Sequence, residues 1–169
     1  NVKNKSHQVT ANVVIPEGGA AGVIATQGGQ VGGWSLYVHE GRLKYCYNFF
    51  GIHYFFATAD RPLPAGKHQV RMEFAYDGGG LAKGGNVTLY YDGNAVGTGR
   101  VDITVPMGFS ADEACDIGRD TGSPASPDYG PHGNRFTGTI DWVQIDIGDD
   151  SHDHLIKPED RLNLAMGKQ

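Results

Sequence analysis

The chain is poor in the features that mark several protein classes. Its 169 residues include two cysteines, Cys46 and Cys115, too few for the disulfide scaffold that holds small secreted modules together. Spacing alone does not decide whether they pair, and two free thiols fit as well. No apolar run approaches the roughly 20 residues that cross a bilayer, and no charged-then-apolar leader opens the chain. The abrupt start at Asn1-Val2-Lys3-Asn4 fits a trimmed piece of a longer protein, which leaves the compartment open. Basic residues are outnumbered: 14 Lys and Arg face 19 Asp and Glu, a formal charge of -5. That balance disfavours nucleic acid or an anionic membrane as the main partner. Catalytic signatures are missing too. No G-x-S-x-G elbow occurs, and Gly32-Gly33 and Gly78-Gly79-Gly80 lack the lysine and helix of a phosphate loop. No E-x-D-x-x-E strand supplies the acid pair of a glucanase; Asp112, Glu113 and Asp116 come nearest, in a loop and in the wrong order.

What the chain does have is alternation. In 68–92, Val70, Met72, Phe74 and Tyr76 fall on every second position, and after a glycine-rich joint Val87, Leu89 and Tyr91 repeat the pattern. A period of two is that of a strand with one face on a core, so this stretch predicts an antiparallel pair. Asp92-Gly93-Asn94 then turns the chain into an extended run over 96–105. Upstream, 9–15 and 21–26 read as strands, and Trp34, Leu36 and Val38 pair through an Glu40-Gly41 turn with Leu43, Tyr45, Tyr47 and Phe49. Apolar residues on both parities of 52–58 predict a strand covered on both faces. The segment 110–134 dissolves into Asp, Gly, Pro and Ser, and long loops of this kind tend to carry function. Strand character returns at 136–147 with a change of phase: Phe136, Ile140 and Trp142 on one parity, Val143, Ile145 and Ile147 on the other. A β-bulge near Asp141-Trp142 reconciles them. Pro158, Glu159 and Asp160 start a helix over 158–166. About ten short strands predict an all-β fold of two packed antiparallel sheets over 1–150, with a tail and short C-terminal helix over 151–169 packed on it.

Aromatic residues crowd into 34–56. Most must fill the core, but sugars stack their apolar faces on exposed rings. Tyr37, Asn48 and His53 oppose the apolar face and are the candidate lining of a ligand groove; the same surface would equally serve docking to another domain. Among the loop acids Asp112, Glu113, Asp116, Asp120 and Asp128, the set Asp116, Asp120 and Asp128 is the candidate calcium site, since calcium takes carboxylates at flexible geometry. The favoured alternative is that these acids cap turns and satisfy loop N–H groups. His152, Asp153 and His154 have the residue types for a transition metal, but their place near a terminus favours a solvated linker.

Five blocks, taken in order, resemble the carboxy-terminal region of bacterial arylsulfatase-type sulfatases: GGWSLYVHEGRLKYCYNFFG (32–51), LPAGKHQVRMEFAYDGGGLAKGGNVTLYYDG (63–93), DIGRDTGSPASPDY (116–129), FTGTIDWVQIDIG (136–148) and HDHLIKPEDRLNLAMGKQ (152–169). The resemblance implies a concanavalin A-like (laminin G-like) jelly roll and an end point shared with such a sulfatase. It also implies that the chemistry lies upstream. The family's formylglycine arises from a C/S-x-P-x-R motif, which neither CYNFF at Cys46 nor CDIGR at Cys115 matches. The expectation is a non-catalytic accessory domain that docks on a sulfatase catalytic domain or a second copy and helps hold a polyanionic or carbohydrate substrate. The alternative is an independent lectin-like carbohydrate-binding module, with or without calcium.

Overall fold

The computed structural model describes residues 2–109 and 114–148. Asp112, Glu113, the His152-Asp153-His154 tract and the expected 158–166 helix lie outside the described residues. Among the described residues ten strands are formed: β1 His7–Ile15, β2 Gly22–Gly29, β3 Gly32–His39, β4 Arg42–Phe49, β5 His53–Thr58, β6 Gly66–Tyr76, β7 Gly85–Tyr91, β8 Asn94–Val101, β9 Cys115–Ile117 and β10 Thr139–Ile147. They build two five-stranded sheets, one ordered β10-β1-β6-β7-β8 and the other β5-β4-β3-β2-β9. Every strand pair within the sheets is antiparallel. No helix among the described residues is long and apolar enough to cross a membrane.

The alternation of 68–92 becomes the centre of the first sheet. Met72 pairs with Leu89 and Phe74 with Val87 across β6 and β7, so their side chains share the inner face. They meet Trp34, Leu36 and Tyr45 of the second sheet, all fully buried. Burying each such side chain contributes about 1.5–3 kcal/mol, and the alternation exists to place them there. Asp92 and Gly93 both have positive φ, +49° and +82°, as the tight two-residue hairpin turn between β7 and β8 requires.

The bulge is where the phase change indicated. Asn12 pairs with Trp142 and Val13 with Ile140, so Asp141 is the extra residue. Trp142 therefore does not share the inner parity of Ile140. It points outward with Gln144 and Asp146, while Ile140, Val143 and Ile145 pack on the core. The expectation for 52–58 is also corrected. β5 is an edge strand with His53, Phe56 and Thr58 exposed and Ala57 buried. Its outer apolar ring, Phe56, is 37% exposed and has the Lys44 ammonium 4.4 Å from the ring centre, a contact that makes an exposed ring tolerable. β8 ends at Val101 rather than continuing to 105.

One side of the sandwich is closed by glycine. A Cβ on Gly97 would sit 2.4 Å from the Thr58 carbonyl oxygen, and one on Gly99 2.3 Å from that of Phe56. The edges of the two sheets, β8 and β5, thus touch backbone to backbone, and Asp60 N–H donates to the Val96 carbonyl at 2.6 Å. Gly99→Val should lower the urea unfolding midpoint by the equivalent of about 1–3 kcal/mol, the usual cost of overpacking. Gly18→Ala, where nothing lies within 4 Å, should leave the midpoint unchanged.

Candidate functional site

The segment 119–134 has no regular structure, in keeping with its Gly, Pro, Ser and Asp content. It folds back over the outer face of the second sheet. Asp120, 3% exposed, is its anchor. Its Oδ2 accepts from Ala125 N–H at 3.1 Å and from the Tyr129 hydroxyl at 2.9 Å. Its own N–H donates to Asn134 Oδ1 at 2.9 Å, and Asn134 Nδ2 donates back to the Asp120 carbonyl at 3.0 Å. A carboxylate is stable away from water only with donors around it, and here they are supplied locally. Under this cover Val23, Tyr37 and Cys46 form a second apolar cluster with Tyr54 and Tyr129 against it.

The expected ligand-binding residues do not converge. Tyr37 is 1% exposed; its hydroxyl donates to Asp128 Oδ2 at 2.5 Å and lies 3.0 Å from Ser126 Oγ. Burial first, and the Asp128 contact second, hold its phenol far above the ordinary range. With its ring enclosed, Tyr37 has no face on which a sugar could stack. Asn48 is fully buried and ties two turns together, donating to the carbonyls of Gly29 and Gln30 at 2.8 and 3.1 Å and accepting from Gly51 N–H at 2.7 Å. His53 is exposed at the opposite end of β5 from the residue that faces Lys44, the neighbour of Tyr37.

The three acids are likewise separate. Asp116 accepts from the N–H and hydroxyl of Thr121 at 2.8 and 2.5 Å, the turn-capping role. Asp120 anchors the cover, and Asp128 binds Tyr37 and Lys44, whose Nζ is 2.6 Å away. Burial would raise the Asp128 carboxyl, but the hydrogen bonds from Lys44 and Tyr37 outweigh it and hold it below its ordinary value. Among the described residues, no three His, Cys, Asp or Glu side chains are grouped to hold a metal. Cys46 and Cys115 are free thiols, and burial pushes Cys46 up to about 12, which leaves it unreactive at neutral pH.

The exposed chemistry lies at the other side of the sandwich, where the sheet edges β9 and β10 stay apart. Gly118 N–H donates to the Ile24 carbonyl and Phe136 N–H to the Gly118 carbonyl, each at 2.9 Å. Both ends of the covering segment are thereby laid beside β2. Between them and β10 runs an open trough of about 460 Å³, lined by Ile117, Arg119, Arg135, Phe136, Ile140 and Trp142. Ile117 is 48% exposed and Trp142 41%. Arg61, Arg71 and Arg100 each pair with an acid, whereas neither Arg119 nor Arg135 has a carboxylate partner among the described residues. A smaller hollow of about 210 Å³ adjoins it, lined by Asn12, Lys67, His68, Gln69, Asp92 and Asp141; Asp141 borders the trough as well. His68 Nδ1 lies 2.7 Å from Asp92 Oδ2 and Nε2 3.2 Å from the Ala65 carbonyl, and the Asp92 contact raises the imidazole above its ordinary value. Sequence reasoning missed the trough because two stretches far apart in the chain, 117–119 and 135–143, build it. One signal was present: Trp142 shares its parity with Gln144 and Asp146, polar residues that mark an outward face.

Fold and surface together define an all-β jelly-roll sandwich with one closed and one open edge. No protein-family model matches the chain, and no curated protein sequence does. Solved structures do match. The Ruminococcus gnavus IT-sialidase CBM40 bound to α2,3-sialyllactose superposes with a TM-score of 0.56 at 14% identity, over 86% of this chain and 79% of that one. Domains LG4-5 of the mouse laminin α1 chain superpose with a TM-score of 0.53 at 18% identity, over 89% of this chain and 38% of that one. At such identities the likeness is one of fold. Neither neighbour is a sulfatase, so the arylsulfatase resemblance gains no support from them.

The covering segment makes a testable demand on Asp128. Asp128→Asn should cost about 1–2 kcal/mol at pH 7, the lower part of the range for a hydrogen bond to a charged group, since the carboxylate is only half-buried, and should raise hydrogen exchange across 119–134. Because the folded-state carboxyl titrates below the unfolded one, its contribution is complete above the unfolded value, about 3.9, and fades as pH falls through the folded value. Wild type and variant should therefore converge in stability in strong acid when followed by chemical denaturation.

Proposed function

We propose that the chain is a non-catalytic carbohydrate-binding module whose trough between β9 and β10 holds a saccharide bearing an acidic group. The observation that carries this reading is that Arg119 and Arg135, with no carboxylate partner among the described residues, sit beside the exposed Trp142 and Ile117 in one trough. A guanidinium offers a planar fork that matches a carboxylate or a sulfate group, and an indole ring accepts the C–H face of a sugar. The overall charge of -5 does not oppose this, because recognition depends on the local field. The sialyllactose bound to the CBM40 neighbour supports the reading, as does the sequence's lack of a glycosidase acid pair and a formylglycine motif. If the five sulfatase-like blocks reflect the parent polypeptide, the module would hold the substrate for a neighbouring catalytic domain.

Titration calorimetry against 3′-sialyllactose, a chondroitin sulfate hexasaccharide and neutral maltohexaose should show binding to at least one acidic probe and none to maltohexaose. Arg119→Ala and Arg135→Ala should each weaken that binding by about tenfold or more, as expected for loss of a charge-assisted hydrogen bond. EDTA should leave it unchanged, because Asp116, Asp120 and Asp128 are each engaged by protein donors. Equal binding of acidic and neutral probes, or none at all, would refute the reading.

A second reading, docking, rests on a different surface. Asn48 holds the β2–β3 and β4–β5 turns together, and this end exposes Val31 (60%), Phe50 (38%) and Ile52 (69%). Three exposed apolar side chains on two joined turns suit a protein interface, and a second copy of the chain is the occupant that can be tested directly. Sedimentation at micromolar concentration should show self-association that Ile52→Glu removes while saccharide binding persists. A monomeric wild type would exclude the second copy.

A further inference from the structure

We infer that the trough and the hollow around Asn12 and Gln69 are two subsites of one site, joined across the Asp141 bulge, so that the chain binds an acidic oligosaccharide along its length rather than a terminal unit alone. This rests on the saccharide reading of the trough. The bulge supplies the geometry. By skipping Asp141, the register sets Trp142 opposite Asn12, and Asn12 lies opposite Gln69. Directly opposed residues of antiparallel strands share a face. Trp142, Asn12 and Gln69 therefore form one row on the outer face of the first sheet, spanning two strand spacings or roughly 10 Å. One end of the row borders the trough and the other the hollow, and Asp141 borders both.

This row has polar groups to spare. In the rows toward the other end of the sheet, Gln8 and Gln144 donate to Asp146 at 2.7 and 2.8 Å. Arg71 pairs with Glu73 at 3.2 Å, and Tyr90 donates to Glu73 at 2.8 Å. The side-chain amides of Asn12 and Gln69 have no partner among the described residues, and each presents two donors and an acceptor, the complement of sugar hydroxyls. His68 and Asp92 are the fixed wall behind them: Asp92 Oδ1 accepts Gln69 N–H at 2.9 Å while Oδ2 faces His68. An acidic unit in the trough would then be followed by a unit over Trp142 and another against Asn12 and Gln69.

The test uses two length series on the intact chain: sialic acid against 3′-sialyllactose, and chondroitin sulfate disaccharide against hexasaccharide. In whichever series binds, the longer member should bind about tenfold tighter or more, the worth of one or two added hydrogen bonds and a ring contact. The double variant Asn12→Ala, Gln69→Ala should erase that gain and leave the affinity of the shorter member unchanged. Gln144→Ala, in the neighbouring row, should alter neither, and thermal melts confirm that all variants are folded. Binding without length dependence, or equal weakening of both members by the double variant, would overturn the two-subsite inference while leaving the trough intact. Absence of binding in both series would overturn the saccharide reading itself.

Discussion

A carboxylate taken out of water must find donors, and the way Asp120 finds them shapes everything that is exposed on this molecule. Its oxygens and backbone are bonded to Ala125, Tyr129 and Asn134, which closes the 119–134 segment on itself and presses it against the second sheet. The cover then buries Tyr37 and Cys46. It also delivers Gly118 and Phe136 to the same stretch of backbone, where the hydrogen bonds to the Ile24 and Gly118 carbonyls hold them. Arg119 and Arg135 flank this junction, so the two cations of the trough come from opposite ends of one folded segment.

The sandwich is asymmetric for a related reason. At β5 and β8, glycines remove the side chains that would keep the sheet edges apart, and the backbones meet. At β9 and β10 no such glycine pair exists in either strand, the short β9 covers little of its neighbour, and the gap remains as a trough. An edge strand is also where a bulge is tolerated, because only one neighbour has to accommodate it. The Asp141 bulge occupies that position and turns Trp142 from the core to the surface.

Much of the fold was legible from alternation. The β3–β4 hairpin, the β6–β7 pair, the Asp92-Gly93 turn and the bulge all follow from local patterns of side-chain size and polarity. The failures were also physical. Apolar residues on both parities of β5 indicated double burial, yet Phe56 is served by a cation instead of a second layer. Tyr37 and Asn48 were placed on the correct outer face of the second sheet, but a polar-looking loop covers that face. Its composition carries no sign of where it packs, since the donors that bury Asp120 are mostly backbone groups and hydroxyls common to any loop.

The order of polar and apolar residues along this chain was sufficient to determine most of the strands, the inner faces of β3, β4, β6 and β7 and the all-β class, because each depends on neighbours two residues apart; the short β9, inside the expected 110–134 loop, was not among them. The burial of Tyr37, the solitary engagements of Asp116, Asp120 and Asp128, and the meeting of Ile117, Arg119, Arg135 and Trp142 in one trough were decided only by the tertiary structure. These depend on which segments come together across more than a dozen residues, and that choice is made by packing and by the satisfaction of buried polar groups, neither of which is written in any local pattern.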